Sequence, residues 1–197
     1  MVGVAFRFDA DDHSYTLVAT GEERPHVTSM LGRAGWIDDT WMTEESSARG
    51  QQVHHLTADY DLGALNPSLH DAGPYRAYVL AHAKAMRSIA HTWEAIEVPL
   101  MHPRYLFGGR PDRVGLALGL RTVLEVKSGD PLPGHRIQTA LQAILAAEAT
   151  PHPSVPADYY QRGALYLRPT GKFKLELHKD RRDLDEARRI IRKCCGA

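Results

Sequence analysis

Hydrophobic and polar positions divide the chain into strand-like and helix-like stretches. Residues 4–19 predict a short hairpin, because alternating and β-branched residues flank a polar turn. Helical spacing of apolar positions predicts helices over 27–31, 43–61, 74–93, 135–148 and 183–195. Strand patterns predict strands over 95–101, 106–116, 121–127, 164–168 and 172–178. Helices on both sides of a run of strands predict an α/β fold of mixed α+β type, with a central mixed β-sheet flanked by helices.

Length and composition limit the classes that fit this pattern. The chain has 197 residues, which is material for one sizeable hydrophobic core, so we expect a single domain over 1–197. Its content of 43% hydrophobic and 24% charged residues is that of a soluble globular protein rather than a disordered chain. No window approaches the ~18 consecutive apolar residues of a membrane-spanning helix, so we expect no membrane partner.

Charge is balanced overall but unevenly distributed. The 24 Lys and Arg residues offset the 24 Asp and Glu residues. Residues 1–72 carry a formal charge of −8, however, and residues 73–197 carry +8. This asymmetry is compatible with a basic groove for a polyanion, and it is equally compatible with scattered surface charge.

The two cysteines, Cys194 and Cys195, are adjacent near the C-terminus. Neighbouring cysteines cannot form the cross-braced framework of a small secreted domain, and two thiols cannot supply a closed four-ligand zinc site. We therefore expect a reducing, cytoplasmic setting and no structural role for disulfides.

The strongest chemical pattern is a predicted hairpin over residues 107–129. A two-residue turn at Leu118 and Gly119 would place Asp112 directly opposite Glu125, with their Cβ atoms ~5 Å apart. Two carboxylates at that distance repel each other unless a cation or a shared proton intervenes. The register therefore predicts a divalent-metal site.

Side chains alternate along a strand, so Glu125 and Lys127 share one face while Leu124 and Val126 point to the other. Two acids and a lysine thus converge on one point. This combination suits phosphodiester hydrolysis: carboxylates hold Mg²⁺, and the lysine orients a water molecule and offsets negative charge. The Val126 carbonyl is a further candidate metal ligand.

Pro111-Asp112 followed by Glu125-Val126-Lys127 resembles the signature of the PD-(D/E)XK nuclease superfamily. The resemblance implies a restriction-endonuclease-like core, catalysis by Asp112, Glu125 and Lys127, and Mg²⁺ as cofactor, with Mn²⁺ as a substitute. A zinc hydrolase is a weaker alternative, since the sequence contains no H-E-x-x-H motif.

Two helical motifs resemble the RecB-like branch of that superfamily. Residues 49–54 match R-G-x-x-V-H, which implies that His54 is a metal ligand and that Gly50 lets the helix approach the sheet, while His55 points elsewhere. Residues 138–142 resemble the Q-x-x-x-Y helix, which implies a place in the site for Gln138. Gln142 stands where that motif has tyrosine, and its role is open.

Weaker matches along the chain, from His13-Ser14-Tyr15 to Ala164-Leu165-Tyr166-Leu167, occur in the order typical of phage-type exonucleases. The resemblance implies an exonuclease that acts on linear DNA ends in recombination or repair. It also implies a bacterial or phage-infected host cytoplasm and a single-strand annealing or recombination protein as partner. An endonuclease of the same fold and a non-catalytic nucleic-acid-binding module stay open as alternatives.

A nuclease also needs cations that hold phosphates independently of sequence. The candidate substrate-binding residues next to the motifs are Arg49, Arg110, Arg113 and Arg162.

Overall fold

A computed structural model describes residues 4–37, 43–65, 70–150 and 155–196. The helices of these ranges are α1 (Val27–Arg33), α2 (Glu44–Asp61), α3 (Arg76–Ser88), α4 (Pro133–Ala149) and α5 (Arg182–Cys195). The strands are β1 (Phe6–Phe8), β2 (Tyr15–Leu17), β3 (Glu23–Arg24), β4 (His91–Ile96), β5 (Leu100–Met101), β6 (Gly108–Gly109), β7 (Arg113–Ala117), β8 (Leu120–Lys127), β9 (Gln161–Leu167) and β10 (Phe173–Leu177). Short 3₁₀ turns lie at His70–Tyr75 and Ala157–Tyr159.

A five-stranded sheet forms the centre of the molecule, with the order β10-β9-β8-β7-β4. Strands β8 and β9 are parallel and are joined through α4, whereas the other neighbours are antiparallel. Two small sheets, β1-β2-β3 and β5-β6, accompany it. The predicted fold class, a mixed sheet flanked by helices, is confirmed.

The two faces of the central sheet pack against different helices. Val123 of β8 belongs to the core with α1, α4 and α5, while Leu124 and Val126 belong to the core with α2 and α3. This alternation confirms that Glu125 and Lys127 point away from Leu124 and Val126, toward α4. None of the described helices is both long and apolar enough to cross a membrane.

The β7–β8 hairpin has the predicted turn. Leu118 and Gly119 both have positive φ, 53° and 77°, as a two-residue turn of the mirror-image type requires. A positive φ is uncommon for leucine, whereas Gly119 has no Cβ atom and adopts it at no steric cost. The turn fixes the register of the two strands that carry the site.

Three predicted boundaries are wrong. The helix predicted over 74–93 ends at Ser88, because His91 and Trp93 pair with β7 as part of β4. The strand predicted over 95–101 is split between β4 and β5, and the strand predicted over 106–116 is split between β6 and β7. The first interruption contains Glu97 and the second contains Asp112, so both contribute to the candidate site.

Candidate active site

The candidate site lies where β7 begins and β8 ends, between α2 and α4. Arg113 pairs with Leu124 in the hairpin, which puts Asp112 and Glu125 at the next opposed positions. The predicted register is therefore confirmed. The backbone N–H of Asp112 lies 3.4 Å from Glu125 Oε1, and the N–H of Val126 donates to Asp112 Oδ2 over 2.6 Å.

A compact group of possible metal ligands consists of His54, Glu97 and Asp112. One ligand atom from each lies within 4.8 Å of the others. His54 Nδ1 is 3.2 Å from Asp112 Oδ1 and 3.3 Å from Glu97 Oε1. The two carboxylates are donors that suit Mg²⁺ and Mn²⁺, and the imidazole nitrogen is a donor that suits transition metals. The donor set therefore fits a divalent cation and does not by itself select which one.

Electrostatic coupling within this group is strong. Burial lowers the pKa of His54, but the carboxylates of Asp112 and Glu97 outweigh it and raise that pKa to about 10. Burial raises the pKa of Asp112, yet His54 and Lys127 hold that pKa below its usual range. Burial and the nearby Asp112 raise the pKa of Glu97. The proton of His54 thus offsets carboxylate charge, and a divalent cation bound at Nδ1 would replace that proton.

Glu125 lies beside this group and is held by three side-chain donors. Lys127 Nζ and Gln138 Nε2 each donate to Glu125 Oε2 over 2.7 Å. Gln142 Nε2 donates to Glu125 Oε1 over 2.6 Å. The carboxylate is almost completely buried, 1% exposed, so these donors replace the hydrogen bonds of water. Burial lowers the pKa of Lys127, but the carboxylates of Glu125 and Asp112 raise that pKa by a larger amount. The pKa therefore lies above its ordinary value, and the ammonium form is favoured.

The structure brings together most of the residues that the sequence predicts for the site. His54, Asp112, Glu125, Lys127 and Gln138 meet there. Val126 reaches the site through its N–H, and its carbonyl as a metal ligand stays a prediction. His55 is 70% exposed in its side chain and contacts Asp59, in agreement with the expectation that it points elsewhere.

Two residues of the site were not assigned a role from the sequence. Glu97 follows β4 and has a positive φ of 52°, an uncommon conformation for a residue other than glycine. The sequence signals this residue only as an acid inside a predicted strand. Its proximity to Asp112 could not be counted along the strands, because the β4–β7 register is irregular between Trp93 and Ala95. Gln142, whose role was open, is now placed by its contact with Glu125.

The four candidate phosphate-binding arginines separate into two pairs. Arg110 lies at the rim, with Nε 3.2 Å from Glu97 Oε2 and its guanidinium over the ring of Phe8. Arg49 is on α2, partly buried, and about 140° around the helix from His54. These two stay candidates for substrate contact.

The assignments of Arg113 and Arg162 to substrate are corrected by their burial. Arg113 is 0% exposed and pairs with Asp61, and Arg162 is 3% exposed and pairs with Asp183. Neither guanidinium is accessible to a phosphate. Gly50 needs a correction as well, since a Cβ atom there would meet nothing within 4 Å, so close approach to the sheet does not require glycine.

The sequence matches no protein-family model and no curated protein. The functional argument therefore rests on the geometry of the site.

Proposed function

We propose that the protein is a divalent-metal-dependent DNA nuclease, and specifically an exonuclease that acts on linear ends. The observation that carries the proposal is the meeting of two clusters at one end of the sheet. His54, Glu97 and Asp112 form a possible ligand group, and Glu125 and Lys127 adjoin it through Asp112.

His54, Glu97 and Asp112 would hold the cation, Mg²⁺ with Mn²⁺ as a substitute. When bound, such an ion supplies an acidified water and offsets the charge of the scissile phosphate. The Val126 N–H donates to Asp112 Oδ2 and so fixes the orientation of this carboxylate. The other oxygen, Oδ1, faces His54. Glu125 is the candidate for a further ligand, since its carboxylate lies across the hairpin from Asp112.

Lys127 supplies the positive charge that the reaction needs beside the phosphate. Its ammonium group is fixed by Glu125 Oε2, so it is preorganised rather than freely rotating. From there it donates hydrogen bonds to a phosphate oxygen or to the attacking water. Gln138 and Gln142 orient Glu125 and so stabilise the position of Lys127 indirectly.

The reaction is hydrolysis of a phosphodiester. The water oxygen forms a bond to phosphorus, one phosphorus–oxygen ester bond breaks, and the departing oxygen takes up a proton. The products are a phosphomonoester and a hydroxyl. The choice of DNA and of linear ends follows from the resemblance to phage-type exonucleases, while Arg110 at the rim is a cation suited to a phosphate contact.

Incubation of the full chain with linear and with covalently closed circular DNA tests this function. With Mg²⁺ or Mn²⁺ we expect linear DNA to be degraded to nucleotides, circular DNA to survive, and EDTA to abolish degradation. Cutting of the circle would make the protein an endonuclease. Absence of degradation under every divalent metal would contradict the nuclease proposal.

The variant Lys127→Ala separates catalysis from binding. We expect its rate of Mg²⁺-dependent DNA degradation to fall by at least about 100-fold, while it still binds DNA in a gel-shift assay. Lys174→Ala is a matched control, because Lys174 forms the same kind of strand pair two residues from a glutamate, Glu176, at an exposed position. Equal activity of Lys127→Ala and wild type would exclude the role of Lys127.

A further inference from the structure

Arg113 forms a buried charge cluster directly behind Asp112. Its Nε donates to Asp61 Oδ2 over 2.6 Å, and its Nη1 donates to the backbone carbonyl of Asp112 over 2.7 Å. Arg113 points to the face of the sheet that α2 and α3 cover. A guanidinium at this place can donate to both partners at once because its N–H groups form a rigid fork.

Asp61 is in turn held by a histidine of α3. His82 Nε2 lies 2.9 Å from both carboxylate oxygens of Asp61, and the His82 ring is completely buried. Asp61 is the last residue of α2, where the helix dipole disfavours a negative charge. Arg113 and His82 are therefore what allows an aspartate to be buried there.

This cluster reaches each element that carries a possible metal ligand. The carbonyl of Asp112 accepts from Arg113 and also from the backbone N–H of Glu97, over 3.1 Å. Arg113 Nη1 is 3.9 Å from Glu97 Oε1. His54 and Asp61 lie seven residues apart on α2, about two turns, and so share one face of that helix.

We propose that Arg113, anchored by Asp61 and His82, is a positioning residue for the metal centre. It fixes the ligand-bearing segments around Asp112, Glu97 and His54 relative to one another. The inference rests on one part of the proposed function, the binding of a divalent cation by His54, Glu97 and Asp112.

A purely stabilising role is a poor explanation of the cluster. A buried ion pair is weak evidence for stability, since apolar residues of similar volume often stabilise a fold as well or better. What apolar residues cannot do is donate to the Asp112 carbonyl and to the Asp61 carboxylate together. Partners of this kind, one layer behind metal ligands, typically change metal affinity about 10–100-fold when they are replaced.

The variant Asp61→Asn tests the inference, with Asp183→Asn as its matched control. Both remove the charge of an aspartate that pairs with a buried arginine. Asp183 pairs with Arg162 of β9 and Arg136 of α4, and it forms no ion pair with His54, Glu97 or Asp112 among the described residues. Mn²⁺ affinity is measured by electron paramagnetic resonance on the full chain without DNA, together with the melting temperature. We expect Asp61→Asn to bind Mn²⁺ at least about 10-fold more weakly and Asp183→Asn to bind it within twofold of wild type.

A second variant keeps the test decisive if Asp61→Asn does not fold. His82→Gln retains a donor toward Asp61 but alters its geometry, and we expect about threefold weaker Mn²⁺ binding. Unchanged Mn²⁺ affinity in the folded variant, or equal losses in the Asp61 and Asp183 variants, would overturn the inference. A wild type that binds no Mn²⁺ would overturn it together with the metal centre. A wild type that binds Mn²⁺ but cleaves no DNA would overturn the proposed function alone.

Discussion

Gln142 donates its side-chain amide to Glu125 Oε1 over 2.6 Å, across the buried space between α4 and β8. The Oε1 atom of the same amide is buried without a hydrogen-bond partner among the described residues. A half-satisfied buried amide is costly, so its contact with Glu125 is the feature that explains glutamine at this position.

Replacement of Gln142 by leucine should therefore affect activity more than stability. The change removes one donor from Glu125 but also removes the unpartnered carbonyl, so we expect the free energy of unfolding to change by less than about 2 kcal/mol. The rate of metal-dependent DNA degradation should fall about 10-fold or more. Gln161→Leu is the control, since the Gln161 side chain donates to Thr122, near the start of β8 and three residues from Glu125. A wild-type rate for Gln142→Leu would show that Glu125 needs no donor on Oε1.

His54 and its neighbour His55 offer a matched pair for metal binding. His54→Ala removes an imidazole nitrogen that lies near both Asp112 and Glu97. If this nitrogen is a ligand, we expect Mn²⁺ affinity measured by calorimetry to fall about 10-fold or more. His55→Ala alters an exposed side chain that lies beside Asp59 and outside the ligand group, so this variant should bind Mn²⁺ like wild type. Equal affinities of the two variants would remove His54 from the ligand set.

Two helical glycines should respond in opposite ways to alanine. A Cβ atom at Gly134 would lie 2.4 Å from the carbonyl oxygen of Trp36, so Gly134→Ala should destabilise the fold by about 1–3 kcal/mol. A Cβ atom at Gly50 meets nothing, and alanine is the better helix former, so Gly50→Ala should stabilise it by about 0.5–1 kcal/mol. Urea denaturation measures both. A destabilised Gly50→Ala variant would mean that α2 needs this glycine after all.

Acid should destabilise the protein partly through His135. Burial, with the positive charge of Lys127, lowers the pKa of His135 to about 4 from an ordinary value of 6.5. Between about pH 6.5 and pH 4 the unfolded chain therefore binds a proton at this histidine that the folded chain does not. His135 thus leaves the free energy of unfolding unchanged above about pH 6.5 and lowers it as the pH falls toward 4. We expect His135→Gln to lose on the order of 2 kcal/mol less than wild type between pH 7 and pH 4. Parallel curves of stability against pH for the two proteins would contradict this.

The parts of the site that local sequence rules determine could be predicted. The turn at Leu118 and Gly119 fixes which residues oppose each other, so the pairing of Asp112 with Glu125 follows from counting along the hairpin. Strand alternation places Lys127 beside Glu125 for the same reason. Both relationships depend on short stretches of chain and on backbone geometry alone.

His54 and Gln138 are suggested by the two helical motifs, whereas Glu97 and the burial of two arginines depend on long-range packing and could not be predicted. Glu97 reaches Asp112 only because β4 pairs with β7 through an irregular register, which no turn specifies. Arg113 and Arg162 are cations that the sequence suggests for phosphate, but Asp61 and Asp183 bury them from distant helices. Burial of a charge depends on a partner elsewhere in the chain, and local pattern does not identify that partner.

A crystal soaked in Mn²⁺ and measured for anomalous scattering tests most directly the claim that the ligand group is a metal centre. The account predicts one strong peak at coordination distance, about 2.0–2.4 Å, from His54 Nδ1 and from carboxylate oxygens of Asp112 and Glu97. A peak at another place, with His54 still hydrogen-bonded directly to Asp112, would contradict it.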